Sequence, residues 1–193
     1  MPSRYEVSLT PDLDAASFTG TVLISAQATE AVSEIVVNAI ELEIASVTVN
    51  GTAASFTLHE ESERLIISAE VAQGPCDIAI SFTGILNDKL RGFYRSTFTD
   101  DSGVVRTIAT TQMQSTDCRR AFPCFDEPDF KAVFAIDLTI KSEFLAVSNS
   151  SETKREVLAN GLTRIWFAGT MIMSTYLVAF VVGPLEATET EMV

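Results

Sequence analysis

The strongest constraint on this chain is a period of two that returns along most of its length. Tyr5, Val7 and Leu9 alternate with Glu6, Ser8 and Thr10, and Pro11-Asp12 closes the run. Val22, Ile24 and Ala26 face one way, and Thr19, Thr21, Leu23 and Ser25 face the other. The stretch 131–141 alternates most cleanly, with Ala132, Phe134, Ile136, Leu138 and Ile140 on one face. Side chains i and i+2 share a face on a strand, not on a helix, so these segments can bury an apolar stripe only when extended. Shorter β-branched runs at 34–38, 44–49, 56–59, 64–69 and 77–82 continue the series. Each is bounded by Gly, Asn, Asp or charged residues, and Asn50-Gly51 is a hairpin signal. Residues 26–33 have a mild helical look, but Val and Thr are weak helix formers, so a strand and a turn are preferred there.

The second half changes character. Residues 92–98 read as a strand, Asp100–Gly103 as a turn, and 104–114 as the returning strand. Residues 115–130 carry two prolines, mixed charges and three phenylalanines, which predicts an ordered loop with at most one helical turn near Thr116 or Asp117. Runs at 144–147, 163–167 and 175–182 finish the sheet. Short strands at this spacing predict an all-β fold, an antiparallel multi-sheet β-sandwich with little helix. There is no internal repeat or linker, so residues 1–185 read as one domain. Residues 186–193 are acidic and patternless, like the start of a connection. A chain of 193 residues can bury a core that needs no disulfide or metal staple.

Charge and rare residues narrow the chemistry. Lys and Arg total 13 against 26 Asp and Glu, a formal charge of −13. A polyanion does not collect at phosphate backbones or anionic lipid, so no nucleic acid and no membrane surface is expected as a partner. Cationic groups, free amines included, are favoured instead. His59 is the single histidine, so a two-histidine zinc site cannot be completed within this chain. It sits beside Glu60 and Glu61 and reads as an exposed residue of a polar turn. Cys76, Cys118 and Cys124 are odd in number and irregular in spacing, which is no disulfide framework. Buried free thiols are the simpler reading, and a 118–124 pairing stays open if the loop folds back. The N-terminus has no apolar signal segment, and the longest aliphatic run, 176–182, falls far short of the roughly 20 residues of a membrane helix. The default compartment is cytoplasmic. Asn149-Ser-Ser is formally a glycosylation triplet, of a kind frequent by chance.

Two groups could carry chemistry. Gln112 and Gln114 are two residues apart, which on a strand places both amides on one face about 7 Å apart. Such a polar shelf could accept a hydrogen bond from an ammonium group, and a solvated outer strand face is the alternative. The second group is Arg119-Arg120 with Asp126, Glu127 and Asp129. Ion pairing that ties the loop together is preferred to a calcium or magnesium site, because the arginines are close and no Asp-x-Asp-x-Asp-Gly pattern is present.

These residues carry a resemblance. Gly92-Phe-Tyr-Arg-Ser96, then 109–128, Ala-Thr-Thr-Gln-Met-Gln-Ser-Thr-Asp-Cys-Arg-Arg-Ala-Phe-Pro-Cys-Phe-Asp-Glu-Pro, closely resembles the N-terminal domain of the aminopeptidase N family of zinc metallopeptidases. Tyr5–Leu13, Phe18-Thr-Gly20, Lys131-Ala132 with Phe134, Ser148-Asn149 and 173–183 match that domain in order. The resemblance implies a saddle-shaped β domain that packs on a thermolysin-like catalytic domain and helps roof its cleft. That catalytic domain, with its HExxH helix, is not in this sequence. The chain is therefore expected to hold no catalytic residue and no metal, and to be inactive alone, with zinc in the absent domain. Residues 186–193 are then the beginning of the connection to it.

The resemblance also implies roles. Gln114 stands where the family places a Gln or Glu at the substrate's free α-amine, and Gln112 would line the pocket for the first side chain. Met113 points to the opposite face and reads as core. The implied function is a substrate-anchoring domain of a zinc aminopeptidase. Its partners are the catalytic domain of the same polypeptide and peptide N-termini. The alternative is a non-catalytic scaffold or interaction module with the same fold. An exposed apolar patch is expected where the catalytic domain docks, including parts of the loop 115–130.

Overall fold

The computed structural model describes residues 1–187. The period-two segments become fifteen strands among these residues, and the described part of the acidic end, 186–187, is in no strand or helix. In chain order the strands are β1 (Pro2–Asp12), β2 (Ser17–Ala28), β3 (Val32–Asn38), β4 (Leu42–Val49), β5 (Thr52–Ala53), β6 (Ser55–His59), β7 (Arg64–Val71) and β8 (Gly74–Ile85). They continue as β9 (Gly92–Thr99), β10 (Val105–Gln112), β11 (Val133–Lys141), β12 (Leu145–Ser148), β13 (Glu152–Val157), β14 (Leu162–Phe167) and β15 (Phe180–Gly183). Single 3-10 turns are the only helical elements among the described residues. The rest of the acidic end, 188–193, lies outside the described residues.

Three sheets share one core. Eight strands run in the order β13-β14-β11-β1-β2-β8-β4-β5, four in the order β12-β15-β10-β9, and three in the order β3-β7-β6. The ladders are antiparallel except one: β1 and β11 pair parallel, from Arg4 opposite Val133 to Leu9 opposite Leu138. A parallel pair needs a long crossover, and here the whole span from β2 to the loop before β11 supplies it. Ala132, Phe134, Ile136, Leu138 and Ile140 are all buried, as their alternation requires. Tyr5 stacks on Phe134 across the parallel pair, with ring centroids 4.7 Å apart. Phe18 of β2, Phe93 of β9 and Phe180 of β15 form a chain of rings at 5.2 and 4.9 Å that joins the large sheet to the four-stranded one.

Two cross-strand pairs show how tightly the large sheet is filled. Gly20 lies opposite Phe82, and Phe18 opposite Gly84. A Cβ on Gly20 would lie 2.6 Å from Leu9 Cδ2 and 2.7 Å from Phe82 Cζ, so the ring occupies the space a side chain would need. The Asn50-Gly51 signal is the turn between β4 and β5, with φ of 50° and 78°, the doubly left-handed turn that suits a two-residue hairpin.

Two segments differ from their sequence reading. Residues 175–182 are not one strand: Thr175–Leu177 is a 3-10 turn, and only Phe180–Gly183 pairs as β15. Apolar alternation reports which side chains are buried, and a turn that buries Thr175 and Val178 meets that demand as well. β13 has no counterpart among the expected strands, because all six of its residues are exposed and no apolar face marks it. It exists through its ladder to β14 and through Lys154 seated 4.3 Å from the Trp166 ring centroid.

Candidate functional site

β9 and β10 form a long hairpin, and Gln112, opposite Gly92, is the last residue of β10. Gln114 lies two residues beyond the strand end, at the start of the loop. The alternation nevertheless continues: Gln112 and Gln114 are exposed, and Met113 between them is buried at 2% exposure. On its other side β10 pairs with β15, Ala109 opposite Val182 and Thr110 opposite Val181, and Phe180 N donates to Thr111 Oγ1. The ladder covers only those two pairs, and Thr175–Leu177 before it is a 3-10 turn. Val178 is buried, and its neighbours Leu177 and Ala179 are exposed.

The segment before β15 exposes an apolar ledge. Met171 (81%), Ile172 (69%), Leu177 and Tyr176 are exposed large side chains of the segment before β15. Asn149 fixes the end of this ledge, donating from Nδ2 to Leu177 O and accepting at Oδ1 from Ala179 N. The Asn149 amide thus serves the fold, which is a structural reason for asparagine at that triplet. The loop 115–130 does not show the expected apolar patch. Ala121, Phe122, Pro123 and Cys124 are buried, Phe125 and Phe130 are half-buried, and the loop shows water Ser115, Thr116, Glu127, Pro128 and Asp129. Its phenylalanines are drawn inward to the core around Tyr5, which accepts a hydrogen bond from Phe125 N at 3.1 Å.

The loop after the glutamines carries a part-buried ionic cluster, in which Asp126 is buried and Glu41 is exposed. The 3-10 turn Cys118–Arg120 presents two arginines. Arg119 donates from Nε to Asp126 at 2.9 Å and from Nη1 to Glu63 at 2.8 Å. Arg120 donates from Nε to Asp117 at 2.7 Å, and its Nη1 lies 2.8 Å from Glu41 Oε2, off the line of a hydrogen bond, so that contact is an ion pair. The loop is tied by ion pairs, as expected, but Asp126 alone of the three anticipated acids takes part. Glu127 and Asp129 form no ion pair among the described residues, and the missing partners come from elsewhere in the chain. Glu41 and Glu63 lie in two separate turns, with φ of 58° and 55°. That left-handed conformation costs a non-glycine residue roughly 1–2 kcal/mol. No local pattern announces either glutamate.

Cys118, Cys124 and Asp126 bring their ligand atoms within 4.8 Å of one another, the one such metal-capable grouping among the described residues. The donor set does not fit a zinc ion. Asp126 already accepts from Arg119 at one oxygen and from Thr175 Oγ1, at 2.6 Å, at the other. Burial pushes both thiols up from the ordinary value, Cys124 well above it, and so opposes the thiolate that zinc requires. Three donors also fall short of a closed tetrahedral site. His59 is exposed at the end of β6.

Fold and site together describe a β domain that offers two exposed amides at the end of β10, followed by a loop tied by a part-buried salt-bridge cluster. This chain belongs to the family described as the peptidase M1 N-terminal domain, whose model matches residues 1–177. Aminopeptidase M1-A of Oryza sativa subsp. japonica is 42% identical over 97% of this chain and 22% of its own length. Aminopeptidase 2 of Candida albicans is 38% identical over 95% of this chain and 20% of its own length. The alanine/arginine aminopeptidase of Saccharomyces cerevisiae is 37% identical over 97% and 23%. The chain thus spans about a fifth of the length of these relatives.

Proposed function

We propose that this chain is the substrate-anchoring N-terminal domain of an aminopeptidase that removes residues from peptide N-termini. The observation that carries the proposal is the placement of Gln112 and Gln114: both exposed, on either side of buried Met113, at the end of β10. An exopeptidase must recognise a free α-ammonium, and a cation leaving water needs a polar partner. The Gln114 amide oxygen is that partner, and Gln112 borders the space for the first side chain. The ledge of Met171, Ile172, Tyr176 and Leu177 docks the catalytic part of the same polypeptide, so the substrate is held between the two. The relatives' much greater length supports this arrangement.

The catalytic part holds a zinc ion, which supplies the Lewis acid for peptide hydrolysis. This domain supplies no donor set for it and contributes binding and orientation. Alone it is inactive. The negative net charge favours the cationic end of a peptide, and the buried free thiols fit a reducing compartment such as the cytoplasm.

The test is steady-state kinetics of the full-length protein. Gln114→Ala weakens recognition of the free amine by about 1.5–3 kcal/mol, the range for a hydrogen bond to a charged group. Gln114→Glu preserves or improves KM for free-amine substrates, because a carboxylate adds charge to the contact. Gln112→Ala shifts the preference for the first side chain instead. An unchanged preference for the free amine in Gln114→Ala removes the proposal and leaves Gln114 a solvated loop residue.

A further inference from the structure

We infer that Glu41 and Glu63 are positioning residues for the amine-anchoring glutamine, acting through Arg119 and Arg120; the inference rests on the anchoring role proposed for Gln114. Gln114 stands off the end of β10, so no ladder fixes it. The turn after it supplies the constraint instead. Asp117 N donates to Met113 O at 2.9 Å, closing that turn over Gln114. Asp117 also holds Arg120, whose far end meets Glu41. The stem of Arg120 lies over Gly92, the residue opposite Gln112: a Cβ there would come within 2.7 Å of Arg120 Cβ. Arg120 therefore touches the turn after Gln114 and the strand beside Gln112 at once.

The glutamates anchor this assembly from outside the loop. Arg120 and Arg119 keep only 9% and 13% of their side chains exposed, so their charges need partners at fixed positions. Backbone bonds set those positions: Ile40 N donates to Arg119 O at 3.2 Å, and Ala39 N to Glu63 O at 3.0 Å. Both glutamates occupy left-handed backbone positions that glycine or asparagine would fill without strain. Two strained residues from two turns converge on one arginine pair. Simple turns do not require that, whereas a shared demand on the side chains does. The buried Phe122 and Cys118 already pack the loop against the core, so the glutamates add placement to a loop that is otherwise held.

The experiment compares two competitive inhibitors of the full-length protein, an aminoacyl compound and its desamino analogue, by the ratio of their Ki values. The variant Glu41→Gly/Glu63→Gly removes both side chains and relieves both backbones. The expected result is a fall in the ratio of about tenfold, short of the roughly hundredfold that a full 1 Å misplacement can cost. The fall comes from the aminoacyl inhibitor alone, and Glu41→Asp/Glu63→Asp, which keeps both negative charges, restores part of it. If the double glycine variant does not fold, each single glycine variant carries the same prediction at smaller amplitude. Gln114→Ala runs beside them. If Gln114→Ala lowers the ratio and the glutamate variants do not, or if they weaken both inhibitors equally, the positioning role is overturned and the anchor stands. If Gln114→Ala itself leaves the ratio unchanged, the anchor fails and this inference fails with it.

Discussion

β11 and the loop that leads into it are neighbours in sequence, both bury apolar side chains, and they differ in what is added to that burial. β11 is fixed by apolar burial on one face and by ladders to β1 and β14 on both edges. The loop 113–130 has few ladder bonds, the pair that Asn38 and Cys124 exchange among them; local turn bonds and buried Phe122 hold it too, and salt bridges and side-chain bonds tie it to distant residues. A strand needs only its own alternation and a partner of the same kind. A loop that must present particular groups at a strand end needs named partners, and those partners constrain sequence far away. The difference separates a part of this domain that needs only local pattern from the part that carries the proposed site.

The largest expected effect tests the strand side. Phe134→Ala removes a ring stacked on Tyr5 and should cost about 3–5 kcal/mol, measured by denaturant unfolding. Asp126→Ala tests the loop side and should cost about 3 kcal/mol, the lower end for breaking a buried ion pair, because Glu63 still faces Arg119. A loss below about 1 kcal/mol for Asp126→Ala would break the comparison, since the loop would then be held by packing as β11 is.

Alkaline pH gives a smaller effect that sharpens the same contrast. Burial raises the pKa of Cys118 and Cys124 in the folded chain above the ordinary thiol value. Their contribution to stability is fully present below that ordinary value of about 8.5 and is lost as pH rises toward the folded values. Between about pH 9 and 10 each thiol should steepen the loss by up to about 1.4 kcal/mol per pH unit. Cys118→Ala/Cys124→Ala should flatten the slope, leaving Cys76, also raised by burial, as a residual source. An unchanged slope in pH-dependent urea unfolding would show that the two thiols are not buried in the neutral form.

The exposed tip of the β9–β10 hairpin should give the smallest effect. Ser102, the Val104 amide and Arg106 hold the Asp100 carboxyl well below the usual range. A depressed carboxylate stabilises above its unfolded pKa of about 3.9 and loses that contribution as pH falls below it. Asp100→Asn should therefore reduce the dependence of stability on pH only on the acid side, with amide exchange at Ser102 and Val104 as the local readout. A change confined to neutral pH would contradict this. Zinc should have no effect on any of these quantities: metal analysis after dialysis should find far less than one ion per chain, and one bound ion would mean that Cys118, Cys124 and Asp126 rearrange to hold it.

Most of the fold is legible in the sequence because period two is a local signal. β1, β2 and β11 declare their buried faces residue by residue, and Asn50-Gly51 declares its turn. β13 is not legible, because an edge strand written Glu-Thr-Lys-Arg-Glu-Val has no face to declare. The 3-10 turn at Thr175–Leu177 reads as strand in the sequence because burial alone does not distinguish the two backbones over so short a run. In the candidate site, Gln112, Gln114 and the arginines stand in one motif and can be read together. Glu63 is 56 residues from Arg119, and nothing around it or Glu41 marks a partner. Long-range ion pairs leave no period in a sequence, so the loop's outer supports emerge only with the fold.

The central claim is that Gln114 receives the amine of a peptide substrate. A double-mutant cycle tests it most directly in the full-length protein. Its two changes are Gln114→Ala and removal of the amine from a competitive inhibitor. The account predicts a coupling of about 1.5–3 kcal/mol between side chain and amine. Gln114→Ala would then weaken the aminoacyl inhibitor by more than about tenfold and leave the desamino inhibitor unchanged. A coupling near zero, with both inhibitors affected alike or neither affected, would contradict it.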